Sequence, residues 1–336
     1  MRALECVRPG ELRVAERPAP RPEPGEVLVR LRRAGVCGTD LHIFEGSHPF
    51  LEYPRVIGDE LSGVVEQAPP GSRLSPGEQV YVIPYLACGV CVACRRGKTN
   101  CCQSIRVLGV HIDGGMADRV CVPEANVASA EGVSLEEAAM VEFLAIGAHA
   151  VARAAPRAGD RVLVVGAGPI GMGCALFAAL RGAEVTALDR RQDRLDFCRR
   201  HLGVAGAVVA EGDIGQRLGA LTGGDFFDVV VDATGAAKAM MAGLAYVAHG
   251  GTYVLVSVVR DSIAFPDPEF HKRETTLLAS RNALPEDFAE VLAAIRAGKV
   301  PTGALLTHRA TLDEAPARFA DWLRPETGVI KAMIEI

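Results

Sequence analysis

The sequence predicts an α/β protein in which a doubly wound parallel sheet is joined to a second, β-rich domain. Apolar strands alternate with helical stretches from residue 161 to about residue 283, whereas the first 150 residues contain short strands punctuated by Gly and Pro. A Gly-rich turn connects the first strand of the alternating region to its first helix. Strands that alternate with helices form a parallel sheet covered on both faces, and this pattern decides the fold class.

The β-rich part comes first along the chain. Period-2 apolar runs bounded by Gly and Pro predict strands at Glu26–Arg32, Gly63–Gln67 and Gln79–Ile83. A helix is expected from Ser134 to Arg153, because Ser134 and Glu137 have the spacing of a capping box.

The alternating region follows. Its predicted strands are Arg161–Val165, Glu184–Asp189, Ala207–Ala210, Asp228–Ala233 and Thr252–Ser257, with a helix at Pro169–Arg181. Beyond Leu284 we expect a helix (Pro285–Ala297), a connecting stretch and a last strand (Val329–Ile336).

Length and charge limit the possible functions. The chain has 336 residues, enough for two domains, and 49% of them are apolar. The net charge of −5, with both signs mixed along the chain, opposes binding to nucleic acid or an anionic membrane. Apolar runs are too short for a membrane span, and the N-terminal residues lack the apolar stretch of a secretory signal. We therefore expect a cytoplasmic protein that acts on a small molecule.

The turn after the first strand of the alternating region carries the clearest chemistry. It reads Gly166-Ala167-Gly168-Pro169-Ile170-Gly171. Such a turn brings the backbone and a helix N-terminus against a pyrophosphate, and this predicts a dinucleotide cofactor. Asp189 ends the next strand, where it would accept hydrogen bonds from ribose hydroxyls and favour NAD. Arg190 and Arg191 follow at once and could bind a 2′-phosphate, so NADP stays open.

A cysteine cluster predicts a second, structural feature. Cys88, Cys91, Cys94 and Cys102 have the spacing of a tetrahedral zinc site, and the adjacent Cys101 is the spare thiol. Unligated buried thiols and an iron–sulfur cluster are alternatives, the latter without the usual ferredoxin spacing. A nucleic-acid-binding zinc ribbon is opposed by the acidic chain.

The segment Gly35-Val36-Cys37-Gly38-Thr39-Asp40-Leu41-His42, taken with the glycine turn and the cysteine cluster, resembles the zinc-containing medium-chain dehydrogenase/reductase family. That family includes alcohol, sorbitol and threonine dehydrogenases. The resemblance implies a GroES-like catalytic domain over residues 1–147 with a zinc lobe at about 84–104, a Rossmann domain over 148–283, and a return to the catalytic domain over 284–336. It also implies a homo-oligomer, a dimer or tetramer.

The same resemblance implies a catalytic site. Its metal ligands would be Cys37, Asp59, Glu60 and Glu142. The hydroxyl of Thr39 would bond the substrate alcohol, and His42 would relay the proton to solvent. Glu142 is typical of the polyol and sugar-acid branch of the family. Weaker candidates for contact with a hydroxylated substrate are His111, Glu269, His271, Arg281 and Asn282, and Lys331 would lie near the cofactor.

One position departs from the family pattern. Gly58 is followed by Asp59 and Glu60, where a His followed by Glu is usual. Several carboxylates around one zinc would make it a weaker Lewis acid and could favour another divalent metal. Two further readings stay open, namely that Glu60 lies outside the metal's ligand set and that the metal site is impaired.

These observations predict a zinc-assisted, NAD-dependent oxidation of a secondary alcohol on a polyol, sugar or sugar acid. A threonine-type or simple-alcohol dehydrogenase is one alternative. The other is a family member that binds the cofactor without normal turnover, and the aspartate at position 59 is its support.

Overall fold

The computed structural model describes residues 1–48 and 51–336. The chain divides into two compact units, one formed by Met1–Glu142 with Leu284–Ile336 and the other by Phe143–Ala283. The second unit begins at Phe143, whereas the sequence predicted residue 148. Within the described ranges, no helix is long and apolar enough to cross a bilayer.

The N-terminal part of the first unit is a set of antiparallel strands with short helices. The strands are β1 (Arg2–Arg8), β2 (Glu11–Glu16), β3 (Glu26–Val36), β4 (Arg55–Val56), β5 (Glu60–Gln67), β6 (Gln79–Val82), β7 (Tyr85–Leu86), β8 (Arg106–Val107), β9 (Arg119–Pro123) and β10 (Val127–Ser129). The helices are α1 (Gly38–Glu45), α2 (Val92–Arg95) and α3 (Leu135–Ala139), and single 3₁₀ turns occupy Thr99–Cys101 and Glu124–Asn126. The three strands predicted from apolar alternation are present, with β3 extended to Val36.

The expected helix from Ser134 to Arg153 is interrupted. Ser134 does form the capping box, since its Oγ accepts from the Glu137 amide at 3.2 Å and Glu137 Oε2 accepts from the Ser134 amide at 2.8 Å. The amide of Met140, however, donates to the carbonyl of Glu137, three residues back, and the α-helix ends there. Apolar periodicity does not detect a one-residue interruption, so the prediction of one helix was wrong.

The second unit consists of a parallel sheet and the helices that connect its strands, and its first helix begins at Val141, two residues before the unit itself. Its elements are α4 (Val141–Ala154), β11 (Arg161–Val165), α5 (Pro169–Leu180), β12 (Glu184–Asp189), α6 (Gln192–His201), β13 (Gly206–Val209), α7 (Ile214–Thr222), β14 (Phe227–Asp232), α8 (Ala237–Gly243), a 3₁₀ turn (Leu244–Tyr246), β15 (Val247–Leu255), α9 (Asp267–Lys272) and β16 (Thr276–Ala279). The six strands pair in the order β13-β12-β11-β14-β15-β16, all parallel. The order reverses at β11, and ligands of such sheets bind beyond the strand ends at that reversal. The glycine turn directly follows β11.

The C-terminal segment completes the first unit. It contains α10 (Pro285–Arg296), α11 (Thr302–Leu305), β17 (Leu306–Thr311), α12 (Ala315–Trp322), a 3₁₀ turn (Pro325–Thr327) and β18 (Lys331–Glu335). β18 pairs antiparallel with β3, and β17 pairs parallel with β18, in a sheet ordered β10-β6-β5-β3-β18-β17 to which β9 adds at β3. β17 lies where only a connecting stretch was expected. The pairing brings the start of β18 beside the end of β3, where the segment Gly35–His42 begins.

Candidate active site

Cys37 is positioned by a capping box at the start of α1. Its Sγ accepts from the Asp40 amide at 3.4 Å, and Asp40 Oδ2 accepts from the Cys37 amide at 3.0 Å. The second oxygen, Asp40 Oδ1, accepts from the Gly58 amide at 3.0 Å. The buried Asp40 therefore ties Cys37 to the segment that carries Asp59. The sequence reading did not single out Asp40, although its spacing from Cys37 is that of an N-cap pair.

Asp59 shares this site. The Cys37 sulfur and one carboxylate oxygen from each of Asp40 and Asp59 all lie within 4.8 Å of one another. Asp59 is only 8% exposed, and its Oδ1 accepts no hydrogen bond from any described residue. A buried carboxylate oxygen without a donor is costly, and a bound cation removes that cost. The donor set therefore fits a divalent cation.

Glu60, the next residue, is engaged elsewhere. Lys331 Nζ lies 2.6 Å from Glu60 Oε1 and 2.8 Å from Oε2, and it also donates to the Val36 carbonyl at 3.2 Å. Both side chains are at most 1% exposed. Burial by itself would lower the pKa of Lys331, but Glu60, together with Cys37 and Glu142, outweighs burial and raises that pKa. A side chain at position 35 would overlap Glu60, since an added Cβ would lie 2.0 Å from Oε2, so the pair requires Gly35.

This geometry bears on two predictions. Glu60 does not belong to the group that Cys37 forms with Asp40 and Asp59, and its role as a metal ligand stays a prediction. The ammonium of Lys331 lies against Glu60, and the expected nearness of Lys331 to the cofactor stays a prediction. The ion pair neutralises one of the carboxylates that the sequence had grouped around the metal.

Glu142 has a partner that sequence reasoning missed. The hydroxyl of Tyr85 donates to Glu142 Oε1, and both residues are buried. Burial, reinforced by the Glu60 carboxylate, raises the pKa of Glu142 to about 8. Burial and the adjacent Glu142 hold the pKa of Tyr85 well above its usual range, so Tyr85 stays a neutral donor. No local motif signals this pair, because its members are far apart in sequence.

The site as a whole carries an excess of acidic groups. Burial raises the pKa of Cys37 well above its usual range, and the nearby Asp40 and Asp59 carboxyls add to the effect. Burial also raises the pKa of Asp59 well above its usual range, and the Glu142 carboxylate adds to this rise. The pKa of Asp40 is raised to about 6, again chiefly by burial. Binding of a divalent cation would favour the ionised ligands and release protons.

The predicted substrate and proton groups lie on α1. Thr39 is half-buried in the first turn of that helix. The side chain of His42 is 62% exposed, with Nδ1 3.2 Å from Ser47 Oγ and 3.5 Å from Glu45 Oε2. An exposed histidine with polar neighbours can exchange protons with solvent. The roles of Thr39 and His42 in catalysis stay predictions.

The cysteine cluster is assembled as its spacing predicted. The four Sγ atoms of Cys88, Cys91, Cys94 and Cys102 lie within 4.8 Å of one another. The Cys88 amide donates to Cys102 Sγ at 3.2 Å. Cys101 is exposed and stands outside the group. Four converging thiols fit a tetrahedral zinc ion.

The glycine turn has the backbone that a pyrophosphate site needs. Gly166 has a φ of +93°, which favours glycine. An added Cβ at Gly171 would lie 1.8 Å from the Gly166 carbonyl oxygen, whereas one at Gly168 would meet nothing within 4 Å. The open space beside Gly168 would let a phosphate group come close to the backbone there. Pro169 and Ile170 open α5, and Pro suits the first helical position.

Asp189 closes this turn from the next strand. Its Oδ2 accepts from the Ala167 amide at 2.7 Å and its Oδ1 from the Arg191 amide at 2.8 Å. Arg190 is exposed. Asp189, which is predicted to bind the adenosine ribose, therefore lies directly beside the glycine turn.

The weaker candidates have local surroundings. His111 is exposed, and its Nδ1 accepts from the Val107 amide at 3.1 Å. Glu269 pairs with neighbours in sequence, with Lys272 of its own helix at 2.9 Å and with Arg273, just beyond that helix, at 3.5 Å. The other candidates are the exposed His271 and Arg281 and the half-buried Asn282. Contact of these residues with a substrate stays a prediction.

Comparison with known proteins places the chain among dehydrogenases. The family profile "Alcohol dehydrogenase GroES-like domain" matches residues 23–132, and "Zinc-binding dehydrogenase" matches residues 169–297. L-galactonate-5-dehydrogenase of Escherichia coli K12 is 44% identical over 322 residues, covering 95% of this chain and 95% of that protein. A short-chain alcohol dehydrogenase of E. coli CFT073, solved with NADH, superposes with a TM-score of 0.94 at 28% identity, covering 100% of this chain and 99% of that one. A zinc-binding dehydrogenase of Sinorhizobium meliloti bound to NADP gives 0.92 at 26% identity, with the same coverage.

Proposed function

This chain belongs to the zinc-type alcohol dehydrogenase family, and we propose that it oxidises a secondary alcohol of a sugar acid or polyol to the ketone, with NAD⁺ as the hydride acceptor. The observation that carries the substrate class is the 44% identity with L-galactonate-5-dehydrogenase along 95% of both chains. A sugar acid related to L-galactonate is therefore the first substrate to test.

Two sets of residues would hold zinc. The structural ion would be bound by the four clustered cysteines, and the catalytic ion by Cys37 and Asp59. Glu142, which lies outside the group that these two residues form with Asp40, is a further candidate ligand. When bound, the catalytic ion would supply Lewis acidity toward the alcohol oxygen, and NAD⁺ would accept the hydride. The unpartnered Oδ1 of Asp59 supports a cation at this position.

The remaining residues position these ligands and move the proton. Asp40 links the backbone of Cys37 to that of Gly58, because each of its two carboxylate oxygens accepts a hydrogen bond from one of these amides. Tyr85 fixes one oxygen of Glu142 by donating to it, which leaves the other oxygen for the metal. The hydroxyl of Thr39 would hydrogen-bond the substrate alcohol, and the exposed His42 would relay the proton of that alcohol to solvent.

Metal analysis combined with a substrate screen tests this function. Protein purified without chelators is analysed for zinc and other divalent metals, and NADH formation is followed on L-galactonate, other aldonates and polyols. L-threonine and 2-propanol test the alternative substrate classes. We expect turnover on a sugar acid or polyol and metal at both sites. Full activity in rigorously metal-free protein would contradict the proposal.

An Asp59→Asn variant sharpens the test, with the exposed Asp313→Asn as its matched control. Asp59→Asn keeps the size of the side chain but removes the anionic ligand. We expect it to lose the catalytic metal and turnover while keeping the metal of the cysteine cluster. Asp313→Asn should retain both metals and full activity. An Asp59→Asn protein with unchanged metal content and activity would contradict the ligand assignment.

A second candidate function follows from the same residue. Aspartate in place of the usual histidine could leave a protein that binds the cofactor without turnover. NAD⁺ binding by calorimetry, without NADH formation on any alcohol in the screen, would favour this alternative. Recovery of turnover in Asp59→His would then identify the substitution as the cause.

We also infer a homo-oligomer in the cytoplasm. The edge strand β16 supports self-association, because Leu277 is 40% exposed there and an open strand edge can pair with a second copy. All ten cysteines lie in the described residues as unpaired thiols, as expected in a reducing compartment. Light scattering on Leu277→Lys tests the first inference, with a smaller assembly as the expected result.

A further inference from the structure

The segment that begins at the end of β12 carries charges of both signs. It reads Asp189-Arg190-Arg191-Gln192-Asp193-Arg194, with three arginines and two aspartates. Asp189 faces the glycine turn through its contact with the Ala167 amide. A carboxylate at this place repels the 2′-phosphate of NADP, whereas nearby arginines attract it. The preference for NAD over NADP therefore depends on which groups the arginine side chains bind.

Arg191 is held by an acidic neighbour. Its Nε lies 3.0 Å from Asp193 Oδ1, and its Nη2 lies 2.6 Å from Asp193 Oδ2, so the contact is bidentate. The two side chains are 32% and 59% exposed. Hydrogen bonding from Arg191 lowers the pKa of Asp193, which keeps this carboxylate ionised. A forked Arg–carboxylate pair occupies the donors that would otherwise bind phosphate in the same geometry.

We propose that Asp193 is a specificity-determining residue that disfavours NADP by engaging the guanidinium of Arg191. The proposal rests on the dinucleotide site of the proposed function and concerns only the 2′ position of the adenosine ribose. Asp193 competes with the 2′-phosphate for Arg191 and adds a negative charge beside it. NAD⁺ has no 2′-phosphate, so its binding does not depend on this pair.

Adenosine nucleotides test the proposal without metal, substrate or turnover. Binding of 5′-AMP and of 2′,5′-ADP, which carries the additional 2′-phosphate, is measured by calorimetry at low salt for wild type and Asp193→Asn. We expect the variant to bind 2′,5′-ADP about three- to tenfold more tightly than wild type does. This range extends from the strength of an exposed ion pair to that of a charge-assisted hydrogen bond. The affinity for 5′-AMP should change less than about twofold. The gain should shrink as salt is added.

Asp196→Asn is the matched control. It removes the same charge from the same helix, but at a carboxylate that accepts a hydrogen bond from Gln192 at 2.8 Å. It should leave both affinities unchanged. Because Asp193 also lies in the first turn of α6, where acidic residues stabilise the helix, circular dichroism checks that each variant is folded.

Arg191→Ala provides a second, independent test. By itself it should weaken 2′,5′-ADP binding little, because Asp193 already occupies the guanidinium, and in the Asp193→Asn background it should abolish the gain. An unchanged ratio of the two affinities in Asp193→Asn would overturn the proposal, and so would an equal gain in Asp196→Asn. If wild type fails to bind 5′-AMP, the dinucleotide site itself is contradicted, and both proposals fail; a normal 5′-AMP affinity with no gain refutes only the role of Asp193.

Discussion

Lys331→Met removes the cation from the most deeply buried ion pair described in the chain. In the wild type, Lys331 lies 2.6 and 2.8 Å from the two oxygens of Glu60, and the Glu60 carboxylate is fully buried. Without Lys331 this carboxylate must be protonated on folding. Protonating a carboxyl group with a reference pKa of ~4.3 at pH 7 costs about 3.7 kcal/mol, which lies within the ~3–5 kcal/mol typical of a broken buried pair.

The pH dependence has a definite sign. The folded variant holds one more proton than the unfolded chain above pH ~4.3, so its stability falls as pH rises, by about 1.4 kcal/mol per pH unit. The loss relative to wild type should therefore shrink to about 1 kcal/mol at pH 5. In the wild type burial raises the pKa of this carboxyl while Lys331 lowers it, so its contribution to the pH dependence has the same sign but is smaller than in the variant.

Urea unfolding of metal-loaded protein at both pH values measures the effect. Arg8→Met is the matched control in the same unit, because Arg8 lies 2.6 Å from Glu11 but is 76% exposed. An exposed pair contributes less than about 1 kcal/mol, so this control should change stability little at either pH. The reasoning is refuted if Lys331→Met loses less than about 1 kcal/mol at pH 7, or if its loss is the same at pH 5.

The other predictions concern the glycine turn and the cysteine cluster. Gly171→Ala should lower stability and abolish NAD⁺ binding, because its Cβ would lie 1.8 Å from the Gly166 carbonyl oxygen. At Gly168 an added Cβ has open space, so Gly168→Ala should weaken NAD⁺ binding but keep the stability within about 0.5 kcal/mol of wild type. Thermal melts and NAD⁺ calorimetry separate the two, and equal effects would contradict the steric argument. Cys94→Ser should lose the zinc of the cluster and melt at lower temperature, whereas Cys101→Ser should keep that zinc by mass spectrometry; loss in both would place the spare cysteine among the ligands.

The local features were the most predictable. The strands Arg161–Val165 and Glu184–Asp189 begin and end as predicted, because unbroken apolar runs between turn residues define buried parallel strands. The glycine turn and the Ser134 capping box follow from backbone sterics and hydrogen bonding over a few residues. The break at Met140 was missed because it leaves the apolar period almost unchanged.

The arrangement of the acidic site was less predictable. Sequence reasoning placed Glu60 and Glu142 beside Asp59 on the strength of a family resemblance, but it could not foresee their partners. Lys331 meets Glu60 across 271 positions, and Tyr85 meets Glu142 across 57. The pairing of β18 with β3 produces the first contact, and no spacing within either segment records it.

The sequence by itself determined the alternating strands and helices, the dinucleotide turn, the thiol cluster and the departure at Asp59, because each depends on residues close together in the chain. Only the tertiary structure decided which carboxylates already have partners within the chain. Asp59 keeps an unpartnered oxygen, Glu60 is neutralised by Lys331, and Asp40 is occupied by backbone amides. The physical reason is that the cost of a buried charge is set by whatever group faces it, and that group is brought there by strand pairing.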